Sequence, residues 1–284
     1  MSATSKVCRM RVGSAASKQY FPGFWTPTII ESNGQTITCN FGCDAEARDG
    51  PLCIIPTQAI QALRDPVKVL EKPNVMTPWL DLLSAAGAKI LLMHGRFFDS
   101  MTELADGLKA GTDGFELWQQ RVDSVIDYVI DRGLGEPGKI VFMGSSRHGF
   151  GVLYGTARNP RIDAAVVIGP VIWWPWLKEF RGMDDHPFIN KHDLYGVLDR
   201  LPPRPVQVQL GYADQRIGQH HNDKLSRMLT SAYETRGVGE RFLNTPMEIP
   251  GHSGGPPMHV NETVITFLRR QGFLPQLDDR GSSA

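Results

Sequence analysis

A serine set between small residues is the first group in this chain that could do covalent chemistry. The run Lys139-Ile140-Val141-Phe142-Met143-Gly144-Ser145-Ser146-Arg147-His148-Gly149 reads as a buried strand ending in a sharp turn that presents Ser146. Gly144 comes two residues before it, and Gly149 and Gly151 fall in what reads as the first turns of a helix. A serine held on a strained strand-to-helix turn needs such neighbours, because nearby Cβ atoms would crowd the turn. The spacing is Gly-x-Ser-x-x-Gly, with His148 where the commoner form has its second glycine. The plainer alternative is an ordinary loop in which Ser146 caps the helix.

A serine hydroxyl becomes a nucleophile when a histidine takes its proton and an acid holds that histidine in the right tautomer. Chain order supplies a test. Asp214 follows the apolar run 206–210 through Gly211-Tyr212-Ala213, and His252 follows the run 247–249 through Pro250-Gly251. Both positions fall where strands of an open α/β sheet end, which is where such sheets hold ligands. The plainer roles are a helix cap for Asp214 and an exposed loop histidine for His252. His259 competes as the base, but His252 comes directly after its strand and is preferred. His148 is expected to shape the pocket, and Asp163 and Asp223 lack the loop position of an orienting acid.

Acyl transfer also needs two backbone donors for the oxyanion. One is expected from Arg147, the residue after the serine, and the second from the loop after the run 52–55, at Thr57 or Gln58. His94-Gly95 follows the next strand and is read as a feature of the rim. Trp173, Trp174 and Trp176 lie within four consecutive positions of a strandless stretch, 169–205. They predict an insertion or small lid over the carboxyl edge of the sheet, with at least one indole facing a cleft; the alternative is that they fill core.

The elements that would position these groups alternate. Short β-prone runs at 28–30 and 35–39 flank Asn33-Gly34, the strongest short hairpin signal. After them come a strand at 52–55, a helix at 78–86, a strand at 89–93, a helix at 115–131 and a strand at 139–143, then further strands at 164–168, 206–210 and 247–249 and a last helix from 260 to 270. These strands are continuous apolar runs, the pattern of a parallel sheet covered on both faces, joined by right-handed crossovers. The helix from Phe115 carries Leu117, Val122, Val125, Ile126, Val129 and Ile130 at helical spacing, enough for one face on the sheet.

Composition bounds the partners. The chain is 41% hydrophobic and 21% charged, the balance of a globular protein with a sizeable core. Its 30 basic and 30 acidic residues cancel, so no global field draws it to nucleic acid or to anionic lipid. Residues 1–18 lack the apolar run of a signal peptide, and no stretch is long enough to span a bilayer, so a cytoplasmic location without membrane attachment is expected. Cys8, Cys39, Cys43 and Cys53 include no second closely spaced pair, so reduced structural thiols are expected over a metal or redox site.

The stretches 82–93, 144–149 (Gly-Ser-Ser-Arg-His-Gly), 159–166, 211–218 (Gly-Tyr-Ala-Asp-Gln-Arg-Ile-Gly) and 251–253 (Gly-His-Ser) resemble the α/β-hydrolase superfamily, more narrowly its prolyl oligopeptidase-like and dienelactone hydrolase-like serine esterases. The resemblance runs from about residue 52 to 273. It implies an α/β-hydrolase fold with a mostly parallel eight-stranded sheet and helices on both faces, on which the Trp-rich stretch would form a small insertion after the sixth strand. It further implies a Ser146, Asp214, His252 triad and ester or amide hydrolysis with no metal and no cofactor. Two departures stand out: His148 replaces a small residue, and Pro56-Thr57-Gln58-Ala59-Ile60 lacks the family's common His-Gly. With no room for a peptidase propeller, a carboxylesterase acting on a small-molecule ester is favoured. The alternatives are a small peptidase or amidase and a noncatalytic hydrolase-fold protein that binds a ligand. One domain over 1–284 is expected, with an extension and hairpin at 1–50, the insertion at 169–205 and a flexible tail at 276–284. Natural substrate and oligomeric state, a homo-oligomer included, stay open.

Overall fold

A computed structural model describes residues 26–32, 35–42, 49–57, 77–94, 100–250 and 258–276 of the chain. The strands are β1 (Thr26–Ser32), β2 (Gln35–Gly42), β3 (Leu52–Thr57), β4 (Lys89–His94), β5 (Ile140–Ser145), β6 (Ala164–Ile168), β7 (Val206–Ala213) and β8 (Phe242–Pro250). They form one sheet in the order β1-β2-β4-β3-β5-β6-β7-β8. β2 runs antiparallel to both β1 and β4, and every pairing from β4 to β8 is parallel. Ser32 pairs with Gln35, which leaves two residues to connect β1 to β2; the Asn33-Gly34 signal itself lies outside the described residues.

The helices are α1 (Thr77–Ala85), α2 (Met101–Lys109), α3 (Gly114–Asp131), α4 (Ser146–Arg158), α5 (Pro187–Lys191), α6 (Gln219–Thr235) and α7 (Met258–Arg270). They cover both faces because successive strand residues point to opposite sides of a sheet. Leu52, Ile54, Leu91, Met93, Ile140, Phe142, Ala165 and Val167 point to the side that packs on α2, α3, α4 and α6. Their alternates Cys53, Ile55, Ile90, Leu92, Val141, Met143, Ala164 and Val166 pack with α1 and α7. Burial on both sides is the reason these strands read as continuous apolar runs.

α2 and β8 are among the elements that depart from the sequence reading. α2 was not expected. Its cap is a local one, Ser100 accepting from the Glu103 N–H at 3.2 Å, and its face Met101, Leu104, Ala105 and Leu108 is buried. β8 begins at Phe242, five residues before the predicted start, since an edge strand needs no continuous apolar run. Between β6 and β7 the chain forms short 3-10 turns at Trp174–Trp176, Lys178–Phe180 and Tyr195–Arg200 besides α5. Leu177, Phe180, Met183, Ile189, Leu194 and Leu198 of this segment belong to the main core.

Candidate active site

β5 delivers the serine. Ser146 has φ 53, and among the described residues it is the one non-glycine with positive φ. A residue with a Cβ pays roughly 1–3 kcal/mol for that conformation, which persists only where surrounding packing enforces it. The packing is here. A Cβ on Gly144 would stand 3.0 Å from the carbonyl carbon and oxygen of His148; one on Gly149 would stand 2.9 Å from Pro170 Cβ; and one on Gly151 would stand 2.5 Å from the Trp118 indole nitrogen. The three glycines therefore let the turn close, let α4 meet the loop after β6, and let α4 lie on α3. The backbone carbonyl of Ser146 accepts from the Val171 N–H at 2.9 Å, which ties the turn to the loop after β6. Ser145, the cap of α4, makes no side-chain capping bond. Helix geometry aims first-turn N–H groups such as that of Arg147 out of the helix end, where developing negative charge is stabilised.

Asp214 follows β7 directly and is 4% exposed. Its Oδ1 accepts from the Arg216 N–H at 3.0 Å and the Ile217 N–H at 3.1 Å, and its carbonyl accepts from Gly218 N–H. These bonds hold the carboxylate in one orientation. The last rung between β7 and β8 pairs Ala213 with Pro250. Asp214 and His252 are thus one and two residues beyond the same rung, although residues 251–257, His252 included, lie outside the described residues. His259 is the second residue of α7, and its backbone alone is described. Thr57 ends β3 and pairs with His94 on β4, so both stand at the carboxyl edge; Gln58 and Gly95 lie outside the described residues.

The remaining predicted residues separate by burial. His148 is 3% exposed and stacks on Trp118, with ring centroids 5.7 Å apart and planes at 28°. Burial, helped by the Arg147 charge, lowers its pKa to about 3, so its imidazole is neutral at ordinary pH. Trp174 is 2% exposed and enclosed by Phe115, Phe150 and Phe180 at 5.1–5.2 Å. It presents almost no surface to a ligand. Trp173 is half-buried, and Trp176 is 46% exposed. Cys39 and Cys53 are buried thiols, with burial pushing each pKa up to about 12, whereas Cys8 and Cys43 lie outside the described residues.

One polar cluster escaped the sequence reading. Arg158 donates to Tyr154 Oη at 2.7 Å, Tyr154 Oη lies 2.6 Å from His192 Nδ1, and His192 Nε2 lies 2.9 Å from Asp113 Oδ2. A neutral imidazole satisfies this chain, accepting from the tyrosine at Nδ1 and donating to the carboxylate at Nε2. Burial lowers the His192 pKa against the pull of Asp113, and burial raises that of Tyr154. Burial would raise Asp113, yet hydrogen bonds from His192, Lys191 and the Glu116 N–H outweigh it and hold the carboxyl low. Asp113, Glu116 and His192 could gather around a cation, but Lys191 Nζ already stands 2.9 Å from Asp113 Oδ2 and 3.6 Å from Glu116 Oε2. The tyrosine, 2% exposed and raised in pKa, is no nucleophile. The cluster ties α5 to the start of α3 and to α4. A cavity of about 520 Å³, lined by Gly138, Asp163, Arg204 and Arg241, lies where the strands begin, at the edge opposite Ser146.

Comparison with known proteins agrees with this geometry at the level of fold. No family model matches the chain, and no curated protein matches its sequence. Among solved structures it is similar to a zinc-bound cold-adapted esterase from an Arctic intertidal metagenomic library (TM-score 0.61, 13% identity, 94% of this chain and 98% of that one). It is similar to Est1E from Butyrivibrio proteoclasticus (TM-score 0.60, 14% identity, 86% and 98%) and to Porphyromonas gingivalis dipeptidyl peptidase 4 (TM-score 0.62, 14% identity, 87% and 35%). The chain thus spans about a third of that peptidase and nearly all of each esterase. The fold is that of the α/β-hydrolases. Among the described residues no helix is long and apolar enough to cross a membrane.

Proposed function

We propose that this protein is a serine hydrolase that cleaves the carboxylic ester of a small molecule. The observation that carries the reading is the positive φ of Ser146 at the junction of β5 and α4, a strained backbone held at the carboxyl edge of the sheet. In this reading Ser146 Oγ attacks the acyl carbon as His252 takes its proton, Asp214 orients the imidazole, and the N–H of Arg147 with that of Thr57 or Gln58 binds the oxyanion. The alcohol leaves with the proton returned by His252. Water, deprotonated by the same imidazole, then attacks the acyl-enzyme, releasing the acid and restoring the serine. The esterases of like fold, overlapped over nearly their full length, support the ester reading.

A fluorophosphonate probe is expected to label Ser146 in the folded protein, and Ser146→Ala is expected to lower turnover of 4-nitrophenyl butyrate by on the order of 10⁶. An unlabelled folded protein, or an alanine variant with undiminished activity, rejects the assignment. Likeness to a dipeptidyl peptidase favours a second reading, a peptidase or amidase using the same residues. Faster cleavage of aminoacyl amides than of the matching esters would select it.

A further inference from the structure

The exposed tryptophan beside the acid loop has the features of a built surface. Trp176 is the one large apolar side chain exposed among the described residues, at 46%. Its Nε1 donates to the carbonyl of Gln215, the residue after Asp214, at 3.5 Å. Gly218, at φ +88, lets the acid loop press on the same edge: a Cβ there would lie 3.0 Å from Trp176 Cε2 and 3.1 Å from Nε1.

His220 and His221 meet the indole at 75°, with centroids 4.9 and 5.6 Å away. His221 is itself braced. His221 Nδ1 lies 3.1 Å from Tyr195 Oη, and Lys224 Nζ lies 3.8 Å from the centre of the Tyr195 ring. Arg216 reaches Glu179 at 3.4 Å across the two loops, so the Arg216 charge is paired there. The surface is thus an aromatic platform packed against the acid loop, with the Arg216 charge beside it paired.

Its position relates it to the nucleophile. The N–H of Val171 is bonded to the carbonyl of Ser146, and Trp176 is five residues further on. Five residues span at most roughly 18 Å when extended, and the 3-10 turn at Trp174–Trp176 shortens that reach. One segment therefore begins at the serine and ends against the loop of the acid.

Resting on the hydrolase reading above, we propose that Trp176, walled by His220 and His221, is the specificity-determining subsite and takes a planar aryl group of an uncharged ester. A flat ring stacks offset on the indole and meets the imidazoles edge-on, the arrangements aromatic rings favour; a flexible alkyl chain offers hydrophobic contact without that complementarity. Because the platform is fixed in advance, little ordering offsets the contact.

The test compares second-order labelling of the full chain by 3-phenylpropyl and hexyl fluorophosphonates, in the wild type, Trp176→Ala and Trp176→Phe. The aryl probe is expected to react about threefold to tenfold faster than the alkyl one in the wild type, from the usual strength of an aromatic pair. The preference should vanish in Trp176→Ala and persist in Trp176→Phe. An aryl-to-alkyl ratio near one in the wild type, or an unchanged ratio in Trp176→Ala, overturns the subsite while leaving the serine chemistry intact. Failure of both probes on folded wild-type protein defeats the hydrolase reading, and the subsite with it.

Discussion

Acidification should loosen this protein at the turn that carries its serine, and the size of the effect follows from His148. That side chain lies two residues beyond Ser146, 3% exposed and stacked on Trp118. Burial, with Arg147 beside it, lowers its pKa to about 3 in the folded state. In the unfolded chain the value returns to about 6.5. The folded value is the lower one, so the unfolded state binds the extra proton between about pH 6.5 and pH 3. The neutral imidazole's contribution is complete above that window and is lost as pH falls through it. The slope is about 1.4 kcal/mol per pH unit, which makes the cost of moving from pH 7 to pH 5 about 2 kcal/mol. His148→Gln removes the titrating group while keeping a polar side chain of similar length. Urea unfolding at the two pH values, followed by tryptophan fluorescence, should show the variant losing about 2 kcal/mol less than the wild type. His192 and His221 titrate with the same sign, and the comparison cancels them. Equal losses in the two proteins, or a His148 resonance titrating near 6.5, would refute the reasoning.

Gly151→Ala forces a Cβ to within 2.5 Å of the Trp118 indole nitrogen. It should destabilise the fold by about 1–3 kcal/mol, read as a lower melting temperature, and an unchanged melting curve would show that α4 and α3 are not so closely packed. Asp214→Asn keeps an oxygen able to accept from the Arg216 and Ile217 N–H groups. Its melting temperature should therefore hold while kcat on 4-nitrophenyl butyrate falls by on the order of 10⁴; undiminished turnover would leave Asp214 as only the cap of its turn.

Much of this molecule is legible along the chain because the determining interactions are local. Apolar runs at Leu52–Ile55, Ile140–Met143 and Ala164–Ile168 can be buried on both faces only in a covered parallel sheet. The glycines around Ser146 are spaced for a turn whose positive φ the structure displays. The start of α2 was also legible, in the capping pair Ser100 and Glu103, but Gly107 and a face of only four buried residues weaken its helical pattern. β8 escaped at its beginning because Asn244, Thr245 and Pro246 interrupt the apolar run that marks the inner strands.

Residue type and spacing determined the alternation of strands and helices, the turn at Ser146, and the placement of Asp214 at the end of a strand. Tertiary structure alone decided which aromatic groups are interior. Trp174 and Trp176 are two positions apart and alike in type, yet one is enclosed by three phenylalanines and the other stands against the acid loop. Packing alone also joined Asp113 to His192 and His192 to Tyr154, partners 79 and 38 residues apart. Backbone geometry reports on near neighbours, whereas burial and long-range pairing depend on which surfaces meet once every element has been laid on the sheet.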